Sequence, residues 1–200
     1  MINPWDERYA REEYIYGIEP NTYLKEKLSA IKPGKILFPA EGEGRNAVYA
    51  ASLGWETDAF DLSIEGQKKA LKLSMQKGVN INYFLQSLND WEPEPEQYDC
   101  IALIFVHIPE NMRKKVHQAA ITALKPGGMV ILEAFTINQL ERTSGGPKIA
   151  ELLFTADQIG DDFKNLQTIE IQETQILLDE GPFHYGLVDI IQYCGIKSKP

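Results

Sequence analysis

LFPAEGEGRNAVYAA, residues 37 to 51, is an apolar run that breaks at two glycines and resumes with apolar side chains at helical spacing. That order is strand, tight turn, helix. Gly42, Gly44 and Ala47 fit G-x-G-x-x-A, a turn in which glycine lets the backbone pass close to a ligand. The turn also carries Glu41 and Glu43. A carboxylate about 5 Å from a phosphate costs roughly 3 kcal/mol at an effective dielectric of about 20. The ligand of such a loop is therefore an open question.

The same rhythm extends in both directions. Upstream, Asn21 caps a helix to Ile31 that Pro33-Gly34 breaks, and Lys35 to Pro39 is a short apolar strand. Gly44 to Leu53 is a helix closed by Gly54. Thr57 to Leu62 reads as a strand, and Ser63 caps a helix that reaches Lys77 and stops at Gly78. Asn80 to Gln86 is a third strand, and Asp90 to Gln97 an acidic, proline-bearing loop. Tyr98 to Val106 has the unbroken apolar core of a strand buried on both faces. Pro109 opens a helix to about Leu124. Lys125-Pro126-Gly127-Gly128 is a turn, and Met129 to Phe135 a strand. Strands alternating with helices predict a parallel sheet covered on both faces. Leu166 to Leu178 and Phe183 to Cys194, joined at Asp179 to Pro182, add a hairpin.

The expected fold class is α/β, a Rossmann-like three-layer sandwich with a mostly parallel seven-stranded sheet and an antiparallel C-terminal hairpin strand. Residues 1–200 read as a single domain. Its parts are a helical or lid segment over 1–31, a ligand-binding core over 34–135, and a substrate-side loop with the terminal hairpin over 136–200. The long connection from Phe135 to Ile159, with Ser144-Gly145-Gly146-Pro147, has the length of a functional loop.

A net charge of −9 opposes a phosphate backbone, so no nucleic-acid partner is expected. Arg113-Lys114-Lys115 is the only basic run of three and reads as a solvated helix face. Cys100 and Cys194 lie in apolar stretches and form neither a disulfide framework nor a metal pattern, and no H-x-x-x-H occurs. MINPWDERYA has no apolar leader core, and Ile101 to Val106 is too short for a bilayer, so a cytoplasmic protein without a membrane partner is expected.

Ligands of open α/β sheets bind at the carboxyl ends of the strands. Asp61 closes the second strand 19 residues after Gly42, where an acidic side chain accepts the hydroxyls of a ribose. Both nicotinamide dinucleotides and S-adenosylmethionine carry that ribose. The acidic turn favours the second, whose sulfonium and ammonium are positive.

AEGEGRNAVYAA, ALKPGGMVILEAFT and the terminal hairpin together resemble a class I S-adenosylmethionine-dependent methyltransferase. The likeness is greatest to the small tellurite-resistance and thiopurine-type branch. WDERYAREEYIYGIEPNTYL also resembles that branch, in which the N-terminal segment folds over the cofactor. The likeness runs from Trp5 to Lys197. It implies methyl transfer to a small acceptor, a thiol, a chalcogen or another metabolite. It also implies a cofactor site of Glu41, Gly42, Gly44, Asp61, Leu62, Ser87, Leu88 and Phe105. Three positions depart from the family: Phe38 replaces an acidic residue, Ala40 a glycine, and Ser87 an aspartate near the adenine.

Phe105, Val106 and His107 end the fourth strand, where the family brings the transferred methyl. His107 is a candidate general base or substrate contact, with a helix-capping role as the alternative. His184, beside Glu180 in EGPFHYG, is a second candidate for both roles. Tyr16, next to Gly17, is a candidate lid over the substrate. His117 is expected on an exposed helix face. Two other readings stay open, an NAD-dependent oxidoreductase and a non-catalytic module that kept cofactor binding.

Overall fold

The computed structural model describes residues 3–181 and 183–199. Its sheet has seven strands: β1 Lys35–Pro39, β2 Glu56–Asp61, β3 Asn82–Leu85, β4 Tyr98–Ile104, β5 Leu124–Phe135, β6 Gln167–Asp179 and β7 Tyr185–Ile196. Their order across the sheet is β3-β2-β1-β4-β5-β7-β6. Every neighbouring pair from β3 to β5 is parallel, and β7 runs antiparallel to both β5 and β6. The expected hairpin is present, and its second strand inserts between β5 and β6. Pro182, within the expected turn, lies outside the described residues.

The order reverses beside β1, since β2 flanks it on one side and β4 on the other. That switch point is where the glycine turn leaves the sheet, so the topology puts the loop at the ligand crevice. Side chains alternate there as a doubly covered strand requires. Ile36 and Phe38 pack with Tyr23, Leu24, Ala47 and Ala70, while Leu37 packs on the opposite face with Ile101, Val116 and Ile121. The first set brings in the helices α2 Thr22–Ser29, α3 Arg45–Ser52 and α4 Ile64–Lys77. The second brings in α5 Glu110–Ala123 and, through Ile159 and Phe163, the end of the short α6 Ala156–Asp162.

Helix ends follow their residues. Asn21 caps α2 through Leu24 N at 3.0 Å, and Ser63 caps α4 through Gly66 N at 3.1 Å. The Lys125–Gly128 turn interrupts the β4–β5 ladder: Tyr98 pairs with Leu124 but Cys100 with Met129. A helix α1, Pro4–Tyr9, opens the described chain within the segment read as helical or lid.

Two surface expectations are overturned. Arg113 and His117 are each 2% exposed, and both donate to Asp162 Oδ2, at 2.7 and 2.8 Å. The basic run thus splits, with Arg113 and His117 turned inward to an acidic partner on α6 and Lys114 outward to Glu110. A pairing partner 45 residues downstream is invisible to helical periodicity.

Candidate active site

The turn after β1 is held by carboxylates. Ala40 sits at φ 53°, in the left-handed region, and Gly42 and Gly44 at φ 65° and 89°. The glycine that the family resemblance places at position 40 would adopt that φ without a Cβ penalty; Ala40 adopts it with one. Asp61 then fixes the loop: Oδ2 accepts from Gly42 N at 3.0 Å and Oδ1 from Ser63 N at 2.8 Å. Each oxygen keeps a lone pair beyond the backbone bond.

Neither loop glutamate is a free charge facing a ligand, and neither points to solvent. Glu41 Oε1 accepts from Asn46 N and Ala47 N at 2.9 and 2.8 Å. It thereby caps α3, whose N-cap residue Gly44 has no side chain to do so. Burial pushes its pKa up to about 7, against the opposing pull of those amides. Glu43 is 4% exposed; Oε1 meets Lys69 Nζ at 2.7 Å, and Oε2 accepts from Ile15 N at 2.8 Å. The turn's two acids are spent on the helix below it and on the N-terminal segment above it.

A cavity of about 600 Å³ opens over this turn. Ligand pockets for molecules of cofactor size fall in the range of about 300–1,000 Å³. Its lining includes Asp61, Leu62, Ser87 and Leu88 with Gln86, and Tyr16, Phe105, His107 and His184 with Phe135 and Phe183. Glu41 also lines it. Gly44 does not line the cavity; a Cβ there would stand 2.5 Å from Ala70 Cβ, so it allows α3 to pack on α4. Gly42 works at the same distance scale, since a Cβ on it would stand 2.6 Å from the Tyr9 hydroxyl. Ser87 Oγ accepts from Asn89 N at 3.1 Å and caps a short 3₁₀ turn.

Phe105 also has a positive φ, 54°, directly after β4. Two neighbouring strands therefore end in strained residues facing one cavity, a pattern that occurs at functional sites. The kink brings the Phe105 ring to 4.7 Å from His184 and 4.7 Å from Phe135, centre to centre.

The two histidines differ. His107 Nδ1 is 2.7 Å from Leu152 O, which only accepts, so Nδ1 carries the proton. Nε2 accepts from Phe135 N at 3.3 Å. Both ring nitrogens are engaged by backbone, and burial lowers the pKa to about 4. The general-base reading of His107 is corrected on that ground: no lone pair is left for a substrate proton. His184 Nδ1 is 3.4 Å from Glu180 Oε2. Glu180 also takes Arg45 Nη2 at 2.8 Å; burial opposes its ionisation, but His184 and Arg45 outweigh that and hold it down at about 2. An ionised carboxylate only accepts, which puts the His184 proton on Nδ1 and the lone pair on Nε2. Burial lowers the pKa of His184, with Glu180 pulling the other way, so the ring is neutral near pH 7. Tyr16 stacks at 4.5 Å from it.

Sequence reasoning read Tyr9 only as one of the lid aromatics of the N-terminal segment, and it missed Arg8 and Gln139. Tyr9 is buried against Gly42, Arg8 lines the cavity, and Gln139 is fully buried. Gln139 ties the long connection to β7, its Nε2 donating to Gly145 O and its Oε1 accepting from Asp189 N. The motif WDERY held the signal for the first two, at helical spacing.

A cavity at the β1 switch point, a glycine turn below it and an acid closing β2 are arranged as in open α/β folds that bind a ribose-bearing cofactor. The family model for a methyltransferase domain matches residues 36–128. That match covers just under half of the chain and makes it similar to methyltransferases with that domain. It is 26% identical over 144 residues to a ubiquinone biosynthesis O-methyltransferase of Xanthomonas euvesicatoria pv. vesicatoria (strain 85-10), covering 70% of this chain and 58% of that one. It is 23% identical over 184 residues to a thiopurine S-methyltransferase of Legionella pneumophila (strain Corby), covering 80% and 79%. The chain thus spans less than two thirds of the first relative's length and about four fifths of the second's. The structure of TehB from Haemophilus influenzae superposes with a TM-score of 0.75 at 16% identity, over 97% of this chain and 66% of that chain. Among the described residues no helix is long and apolar enough to cross a membrane, and no three His, Cys, Asp or Glu side chains converge as a metal site.

Proposed function

We propose that residues 1–200 act as one domain that transfers a methyl group from S-adenosylmethionine to a small organic acceptor inside the cavity. The capping of α3 by Glu41 carries the reading. A dinucleotide sets its pyrophosphate on the free amides at the N-terminus of the helix after the glycine turn. Here the Asn46 and Ala47 amides already bond the Glu41 carboxyl. A phosphate would meet that carboxyl in place of the amides, whereas a sulfonium or ammonium needs no amide donor there. This disfavours the oxidoreductase alternative.

The residues fit the cofactor as follows. The spare lone pairs of Asp61 would take the ribose hydroxyls, and Leu62, Ser87 and Leu88 would flank the adenine. Glu41 and Phe105 would border the methionine moiety, and Gly42, which like Gly44 does not line the cavity, would shape the turn beneath it. Bound S-adenosylmethionine supplies an electrophilic methyl group on a sulfonium. The chain's own work is positioning and exclusion of water, which the aromatic wall of Tyr16, Phe105 and Phe135 supports. His184, neutral and oriented by Glu180, is placed to accept a proton from the acceptor at Nε2. His107 is a positioning residue that joins the end of β5 to Leu152. The cavity is too small for a polymer to thread, and the acidic surface supports no nucleic-acid partner. A cytoplasmic location is part of this reading.

Calorimetric titration with S-adenosylhomocysteine should give micromolar affinity, about −8 kcal/mol. Asp61→Asn should lose about 1.5–3 kcal/mol of it, the scale of hydrogen bonds to a charged group. Absence of heat and of thermal stabilisation at saturating ligand overturns the methyltransferase reading; stabilisation by NADH instead would install the dehydrogenase.

A further inference from the structure

Arg8 is the charged residue of the cavity that nothing above employs. It lies on α1 and lines the cavity with Trp5 and Tyr9. Its guanidinium stands 4.8 Å from the centre of the Trp5 ring and 5.4 Å from that of Phe183. Nη1 donates to the Tyr16 hydroxyl at 2.8 Å. The guanidinium is thus held by two aromatic rings and one hydrogen bond, and four of its five N–H donors remain. The other arginine lining the cavity, Arg45, is paired with Glu180. Among the described residues Arg8 forms no ion pair, in a chain of net charge −9 with carboxylates to spare. Arg8 is an exposed residue lining the cavity, set against two aromatic rings and bonded to Tyr16, and its remaining donors are open to an anion.

Two molecules in the cavity could bring that anion, the acceptor and the methionine carboxylate of the cofactor. Arg8 contacts Tyr16 and Phe183, and the Tyr16 ring lies 4.5 Å from His184, which puts the guanidinium on the His184 side of the cavity. Arg11 stands 5.7 Å from the outer side of the same Phe183 ring and adds positive charge at the mouth. We propose that Arg8 binds an oxyanion, a carboxylate in the simplest case, carried by the methyl acceptor. The acceptor is then a planar or compact organic anion whose charged end faces Arg8 and whose nucleophile lies inward, beside His184. The aromatic walls suit a flat ring. The planar guanidinium fork suits two carboxylate oxygens at once, as an ammonium does not. This rests on the proposed methyltransferase reading.

The test uses benzoate and its neutral isostere benzamide as probes, titrated into the full chain with and without saturating S-adenosylhomocysteine. Benzoate should bind at least about tenfold more tightly than benzamide in the parent, the scale of a charge-assisted pair. Arg8→Gln should abolish the preference, and Arg8→Lys should keep only part of it. Affinity for S-adenosylhomocysteine should stay within about twofold in both variants, since the cofactor's carboxylate is not the partner. Circular dichroism and melting temperature confirm that the variants fold. No benzoate preference in the parent, or a preference that survives Arg8→Gln, overturns the anion site. An unchanged preference with weakened S-adenosylhomocysteine binding overturns the acceptor assignment and gives Arg8 to the cofactor. Failure of S-adenosylhomocysteine to bind the parent strikes the methyltransferase reading alone, because the benzoate comparison in its absence still reports on Arg8.

Discussion

His107 and His184 show how far a single residue can be read from sequence. Both follow apolar stretches near the expected crevice, and both line it. What separates them is the partner of each ring nitrogen, which lies 28 to 45 residues away for His107 and only four away for His184. The near partner was visible in EGPFHYG; the far ones were not. Replacement separates the roles. His184→Asn should slow an oxygen or nitrogen acceptor by about a hundredfold or more, read as S-adenosylhomocysteine release, with cofactor affinity retained. His107→Phe should leave turnover within a few-fold per folded molecule. It should cost about 1–3 kcal/mol of stability, because Phe135 N and Leu152 O lose their buried partner. A fast His184→Asn and a dead but folded His107→Phe would reverse the assignment.

At the scale of elements, the caps and the strand–helix rhythm were legible because they depend on residues within a turn of each other. The lid was not. Its anchors reach across the chain: Glu43 to Ile15, Tyr14 Oη to Lys69 O, and Asp6 to Ser63 Oγ at 2.5 Å. The glycine turn is one of these anchors, through Tyr9. Gly42 and Gly78 have nearly the same φ, 65° and 67°, but a Cβ on Gly78 meets nothing within 4 Å. Alanine at either position should cost about 1–2 kcal/mol of backbone strain. Only Gly42→Ala also displaces the Tyr9 hydroxyl, so it alone should weaken S-adenosylhomocysteine binding, by about tenfold or more on the scale of misplaced positioning residues. It should also speed cleavage of the first twenty residues by a protease. Equal cofactor affinities in the two variants would detach α1 from the loop.

On the scale of the molecule, the parallel core and the antiparallel terminal hairpin followed from the strand–helix rhythm and turn signals, while the order of the strands did not. The polar network beneath the cavity did not. Glu133, in the apolar run of β5, is 1% exposed; its oxygens accept from Asn21 Nδ2 at 2.6 Å and Gln192 Nε2 at 2.7 Å. Burial raises its pKa from 4.5 to about 7, as it does for Glu41. The folded state therefore holds these protons more tightly than the unfolded chain. Their stabilising contribution is complete below about pH 4.5 and is lost as pH rises through about 7. Thermal melts should show the parent losing stability between pH 5 and 8, and Glu133→Gln losing less by at most about 3 kcal/mol, the full displacement of one group. Parallel pH profiles for the two would remove Glu133 as the source.

The contact between the hairpin turn and the lid has a kinetic consequence. A Cβ on Gly181 would stand 2.6 Å from Ile15 O, and Gly17 lies against the backbone of Glu180. Residues from opposite ends of the chain thus meet beside Tyr16 and His184, and Glu43 and Glu180 each tether one side. A cavity roofed in this way exchanges its contents when the two flaps part. Under the proposed methyl transfer, turnover is paced by opening and product escape once the chemical step is faster than that motion. Solvent viscosity, which leaves bond-making untouched, sets the upper rate of such an enzyme.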